Sequence, residues 1–142
     1  SIAISAFLFN CINGLLNGIY VGYFLESDIN INITFIIGLF LFITGMLINI
    51  QSDNKLISLR KDSDGYKIPN GGMFRLISCP NHFGEIIEWI GYSFIAFNFA
   101  ALSFALWTFF NLVPRALNHH EWYNEHFDNY PKKRKAVLPY IL

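Results

Sequence analysis

Glu85 and Glu88 stand three residues apart near the start of His82–Val113, a stretch with no other charge. On a helix, positions i and i+3 share a face. Carboxylates at membrane depth face a cavity or a partner; carboxylates in a first helical turn are favoured by the dipole and need no function. Spacing alone leaves both readings open. Asn49 and Asp53 form an i, i+4 pair where a second apolar stretch ends, and helix-end hydrogen bonding accounts for them equally well. His119, His120, Glu121, Glu125 and His126 have the composition of a metal cluster. The zinc motif H-E-x-x-H would need histidine at 124, where Asn124 stands, so a polar interfacial helix is the better reading and no metal site is expected. Together with Arg60, Tyr123 and Arg134, these groups offer cations for phosphates, carboxylates for ribose hydroxyls, and Tyr or His as proton donors. Trp89, Phe97 and Trp107 would line the membrane side. That layout suits a phosphorylated cofactor from the cytosol meeting a lipid-soluble substrate. Dinucleotide fingerprint, P-loop and G-x-S-x-G elbow are all absent from the sequence.

These side chains must be positioned by helices in a bilayer. Of 142 residues only 14% are charged, against roughly a quarter in soluble domains, and the charges are confined to a few segments. Ten basic and ten acidic residues cancel, so nothing draws the chain to nucleic acid. Residues 1–25 and 31–50 carry no charge, and each exceeds the roughly 18 apolar residues of a spanning helix. Asn10, Asn13 and Asn17 share one face of the first, either bonding a neighbouring helix or lining a polar cavity. Between the two spans lies the acidic link Glu26–Asn30. Residues 51–80 form a polar loop holding five Lys and Arg, and the tail carries Lys132-Lys133-Arg134-Lys135. The positive-inside rule puts loop 51–80 and the tail in the cytosol, so residues 82–113 cross an even number of times. As one helix they would measure roughly 48 Å, too long for a single untilted span. Two short helices meeting near Asn98 satisfy the parity. The expected fold is an all-α polytopic membrane helix bundle with about four transmembrane helices, over about 2–25, 31–50, 82–98 and 99–118, with a cytosolic tail 119–142.

Longer blocks then become recognisable. Gly65-Tyr66-Lys67-Ile68-Pro69-Asn70-Gly71-Gly72, Asn81, Gly84-Glu85-Ile86-Ile87-Glu88-Trp89-Ile90-Gly91-Tyr92 and Tyr130-Pro131-Lys132-Lys133-Arg134-Lys135-Ala136-Val137-Leu138-Pro139 resemble the steroid 5α-reductases. Gly45 to Asp53 fits the same family. The resemblance runs from about residue 10 to the C-terminus, while Ser1 to Phe9 match poorly.

The resemblance implies a seven-helix reductase of the endoplasmic reticulum membrane, of which this chain would supply the last four helices. It implies NADPH, held from the cytosolic side by Asn49, Asp53, Arg60, Tyr66, Asn81, Glu85, His119, Tyr123 and Arg134, with Trp89 packing on the steroid. Glu85 and Tyr123 are the residues expected to act in catalysis, Glu85 by orienting the nicotinamide amide, and Arg134 is expected to pair with a cofactor phosphate. The implied reaction is reduction of the 4,5 double bond of 3-oxo-Δ4-steroids, with hydride to C5 and a proton to C4. The family's acid pair for the 3-keto group lies in an N-terminal half absent from this sequence, and a family arginine expected near its start has no counterpart. The chain by itself is therefore expected to be inactive, with the bilayer, the steroid and the missing N-terminal helices as its partners. A trans-2-enoyl-CoA or polyprenol-type reductase is the alternative, and a non-enzymatic membrane protein the third reading.

Overall fold

The computed structural model describes residues 2–24, 31–61 and 66–142. The acidic link 26–30 and Asp62, Asp64 and Gly65 of the polar loop lie outside them. The regular elements among the described residues are all helices, joined by irregular chain that forms one isolated parallel bridge between Ile77 and Lys135. They fall into two units, 1–32 and 33–142.

The first unit is a single helix, α1 (Ile2–Phe24). Its asparagine stripe turns partly back on its own backbone: Asn13 Nδ2 donates to Phe9 O and Asn17 Nδ2 to Asn13 O, each at 3.0 Å. Such i to i−4 bonds satisfy the amide donors without a second helix.

The second unit contains α2 (Ile33–Lys61), a short 3-10 helix (Gly72–Arg75), α3 (Pro80–Ala96) and α4 (Phe99–His126). α2 and α4 are long and apolar enough to cross a membrane. α3 packs against both, antiparallel to each, since Gly38 meets Gly91 and Gly45 meets Gly84, while His82 lies by His119 and Trp89 by Phe104. The α2–α3 contact follows from a seven-residue spacing of glycines: Gly38 and Gly45, buried on α2, meet Gly91 and Gly84 of α3. A seven-residue repeat keeps one seam facing the partner as two helices wrap left-handedly. With no Cβ on that seam the backbones come almost into contact, a packing suited to a setting where oily side chains gain nothing by clustering. A methyl on Gly84 would sit 2.6 Å from Asn49 N and 2.7 Å from Gly45 O.

The apolar 82–113 stretch is broken at Phe97–Asn98. Phe97 takes a left-handed conformation (φ 44°), which ends α3. Asn98 then caps α4, its Oδ1 accepting from Ala101 N at 2.8 Å.

Both long helices run beyond their apolar segments. α2 continues eleven residues past Ile50 into the region read as a loop, and α4 continues through Pro114 to His126 in the region read as tail. Hydropathy marks where a helix leaves the apolar phase, whereas Gly, Pro and caps mark where it stops. Residues 51–61 contain no Gly or Pro and end in Arg60 and Lys61, cations that the helix C-terminus favours. Pro114 removes one backbone hydrogen bond and leaves α4 continuous.

The C-terminal segment folds back as irregular chain. Ser78 N donates to Lys135 O (2.8 Å), Cys79 N to Ala136 O (3.0 Å) and Lys135 N to Leu76 O (2.9 Å). Cys79, Ile86, Leu112, Ala116 and Val137 form the apolar core beneath this seam.

Candidate functional site

Because α2 stays helical to Lys61, Asn49, Asp53 and Arg60 lie on one face of it, at i, i+4 and i+11. The glycine seam brings the upper part of that face against α3, where the Asn49 side chain hydrogen-bonds Glu88. Asp53 and Arg115 both lie within electrostatic reach of Glu85 and of His82. From α4, His119 places its ring 6.1 Å from that of His82. Three helices thus contribute Asn49, Asp53, His82, Glu85, Glu88, Arg115 and His119 to one polar cluster. His82 Nδ1 is buried there with no hydrogen-bond partner among the described residues.

A second cluster adjoins it where the tail returns. The Tyr123 ring stacks on that of Tyr130 at 5.2 Å and 7°. Tyr130 OH is 2.7 Å from Ser78 Oγ, which lies 2.6 Å from His120 Nδ1 and donates to Lys135 O at 3.1 Å. Arg134, expected to reach a phosphate, is only 3% exposed and turned into the fold. It donates from Nη2 to Asn70 Oδ1 (3.2 Å) and from Nη1 to Tyr130 OH (3.4 Å), with its guanidinium 4.9 Å above the Tyr130 ring. Its Nε is buried and without a partner among the described residues.

Burial and neighbouring charges shift two groups of this second cluster. Burial, then the neighbouring Cys79 and Tyr130, push the Tyr123 phenol up against the opposing pull of Arg134, so it keeps its proton at physiological pH and can donate it. Burial, then Arg134 and Lys135, hold His120 below its ordinary value.

Burial also pushes the Cys79 thiol up to about 12 from 9.0. Its thiolate is therefore favoured in the unfolded chain first, and the fold loses stability as pH rises from about 9 towards 12. Since the thiolate is the reactive form, Cys79 should resist iodoacetamide at pH 8 in the folded protein and react once the protein is denatured. Peptide mass spectrometry of the two samples checks this; equal labelling would mean that the tail does not cover Cys79.

The remaining expected residues fall at varying distances from these clusters. Tyr66 packs on Trp122 at 5.0 Å, one residue from Tyr123. Asn81 is half-buried in the first turn of α3. Arg60 is exposed in the last turn of α2. Trp89 packs edge-on against Phe104 of α4 at 4.2 Å. His82, Arg115, Ser78, Asn70 and Tyr130 carry no site expectation from the sequence, and His120 entered only in the metal reading set aside above. Arg115 had a legible signal, since it lies one helical turn before His119. Ser78 had none, because its partners are 42, 52 and 57 residues away. No group of three or more His, Cys, Asp or Glu able to hold a metal occurs among the described residues.

The donor set can be tested against a nicotinamide cofactor. Carboxylates, amides, imidazoles and an arginine at one level of the bundle match ribose hydroxyls, a carboxamide and phosphates, and His82 Nδ1 is left for a ligand atom to satisfy. The residues fit such a group.

Described residues whose regular elements are all helices, two of them of membrane length, gathering polar side chains where those helices become polar, define the class of protein. Within it the assignment is specific. The family described as 3-oxo-5-alpha-steroid 4-dehydrogenase matches residues 1–142, so the chain belongs to that family, and the match includes the opening residues 1–9. It is 44% identical over 146 residues to steroid 5-alpha-reductase DET2 of Gossypium hirsutum, covering 99% of this chain and 57% of that protein. It is 42% identical to 3-oxo-5-alpha-steroid 4-dehydrogenase 1 of Rattus norvegicus, with 96% and 54% covered. To 3-oxo-5-alpha-steroid 4-dehydrogenase 2 of Sus scrofa it is 47% identical, with 95% and 54% covered. The chain spans about half the length of the curated relatives it matches.

Proposed function

We propose that the chain carries the cofactor-binding part of an NADPH-dependent reductase acting on the 4,5 double bond of 3-oxo-Δ4-steroids. The observation that carries this reading is the convergence of Asn49, Asp53, Glu85, Arg115 and His119 from three helices. Family membership and the relatives' names supply the reaction class.

NADPH, when bound, supplies the hydride. Asn49, Asp53, Asn81, Glu85, Arg115 and His119 would hold it, Glu85 orienting the carboxamide, with Arg60, Tyr66 and Tyr123 towards its phosphate and adenosine end. Arg134 acts there through Asn70 and Tyr130, and its buried Nε–H is left to be satisfied. Trp89 and Phe104 form an aromatic wall for the steroid. The chemistry asked of the whole site is conjugate addition, in which hydride reaches C5, negative charge gathers on the 3-keto oxygen, and a proton arrives at C4. A placed acid near that oxygen contributes typically about 10²–10⁴-fold, and burying both reactants excludes water and aligns them.

We place the protein in the endoplasmic reticulum membrane with four spans in this region, the polar end of α2 and the tail on the cytosolic side. The test is turnover in microsomes expressing a full-length protein that contains this sequence, with NADPH and a 3-oxo-Δ4-steroid. A 5α-reduced product is expected. Product only from a trans-2-enoyl-CoA or a polyprenol would transfer the site to those substrates, and no product from any would favour a non-enzymatic membrane protein.

A further inference from the structure

We propose that the Ser78 hydroxyl, through Tyr130, is a positioning device for the Tyr123 ring, and so a determinant of cofactor binding that makes no contact with the cofactor. The inference rests on the reading of Tyr123 as part of the NADPH site.

One assignment of hydrogens uses all three contacts. Ser78 Oγ has three polar neighbours, His120 Nδ1, Tyr130 OH and Lys135 O, at 2.6, 2.7 and 3.1 Å. The carbonyl can only accept, and we assign the single serine hydrogen to it. The two remaining contacts are hydrogen bonds only if Tyr130 OH and His120 Nδ1–H both donate to Ser78. Tyr130 OH in turn accepts from Arg134 Nη1 at 3.4 Å. Each group is then used in one direction only: Arg134 to Tyr130, Tyr130 and His120 to Ser78, and Ser78 to Lys135. A serine beside a histidine could suggest a nucleophile, but in this assignment Nδ1 holds a proton and cannot take one from Ser78.

What this fixed network holds is the plane of Tyr130. Its hydroxyl is held by Ser78 at 2.7 Å and by Arg134 at 3.4 Å, and the residue is only 4% exposed. Tyr123 lies on that plane, parallel to within 7° at 5.2 Å. The residue after Ser78 is Cys79, at the N-cap of α3, so the same serine ties the start of the helix bearing Glu85 to the returning tail.

The experiment is a double-mutant cycle on NADPH-dependent turnover by the full-length protein, with its membrane level measured by immunoblot. Ser78→Ala and Tyr130→Phe are each made in the parent and in Tyr123→Phe. Tyr130→Phe keeps the stacking ring and loses only the pinned hydroxyl, so it remains informative where Ser78→Ala lowers expression. Each should raise KM for NADPH about tenfold in the parent, with kcat changed less than about twofold, as for loss of uniform binding. In the Tyr123→Phe background the same changes should alter KM by less than about twofold. Equal losses in both backgrounds, or losses in kcat alone, would overturn the proposal and leave the cofactor site standing. A Tyr123→Phe protein with unchanged KM would overturn the cofactor role of Tyr123, and the proposal with it.

Discussion

Gly45→Ala is expected to abolish the α2–α3 pairing. The added methyl would meet Glu88 N and lie 2.5 Å from Gly84 O, both backbone atoms of the facing helix. A side-chain neighbour could swing aside; a helix backbone moves only if the helices separate. Ordinary overpacking costs about 1–3 kcal/mol, and a clash between two backbones belongs at or above the top of that range. Separation would also part Asn49 from Glu88 and Asp53 from Glu85, so activity should fall with stability. Gly14 provides the control, since a methyl there meets nothing within 4 Å. Gly14→Ala should be neutral or stabilising by up to about 1 kcal/mol, the usual gain of Ala over Gly in a helix. Thermal unfolding in detergent of both variants, with membrane yield, measures the contrast. Equal melting temperatures would show that the helices are not in backbone contact at Gly45.

Glu85→Gln is the substitution with the largest expected effect on chemistry. It keeps the size of the side chain and its place on α3, removes the negative charge beside Arg115 and Asp53, and replaces one acceptor oxygen with a donor. A carboxylate that orients a carboxamide accepts from the amide NH₂. The glutamine can present its own NH₂ there instead, which repels. Charge-assisted bonds are about twice as strong as neutral ones, and misplacing the reacting carbon costs rate beyond the lost bond. A fall of about 10²-fold or more in NADPH-dependent steroid turnover is expected, with protein level unchanged. Robust product from the variant would leave the reductase reading intact and remove Glu85 from the site.

The two predictions concern the same stretch of α3 for different reasons. Gly84 lets the helices touch, and Glu85, one residue on and turned by about 100°, faces the polar cluster. The G-E-I-I-E-W-I-G-Y block therefore encodes a seam, Gly84 and Gly91, alongside a reactive face, Glu85 and Glu88.

Much of this was legible in the sequence because membrane folding is governed by local rules. Charge-free runs define helices without reference to any partner, and the excessive length of 82–113 implied a break, which falls at Phe97–Asn98. The i, i+4 spacing of Asn49 and Asp53 and the i, i+3 spacing of Glu85 and Glu88 fixed shared faces on single helices. Family-specific blocks named the class. Hydropathy misled at helix ends: it stopped α2 at Ile50, although the helix that carries Asp53 and Arg60 runs on to Lys61.

Tertiary structure alone decided which faces meet. Gly38 and Gly45 form a seam only because Gly91 and Gly84 oppose them on another helix. Arg134 has the side chain of a phosphate ligand, yet the returning tail buries it against Asn70 and Tyr130. Ser78 carries no local signal at all, since its role is made by His120, Tyr130 and Lys135 arriving from distant sequence. Periodicity encodes which residues of one helix share a face. Pairing between segments depends on shape, on hydrogen-bond satisfaction and on where the chain turns, and those become fixed only when the helices pack.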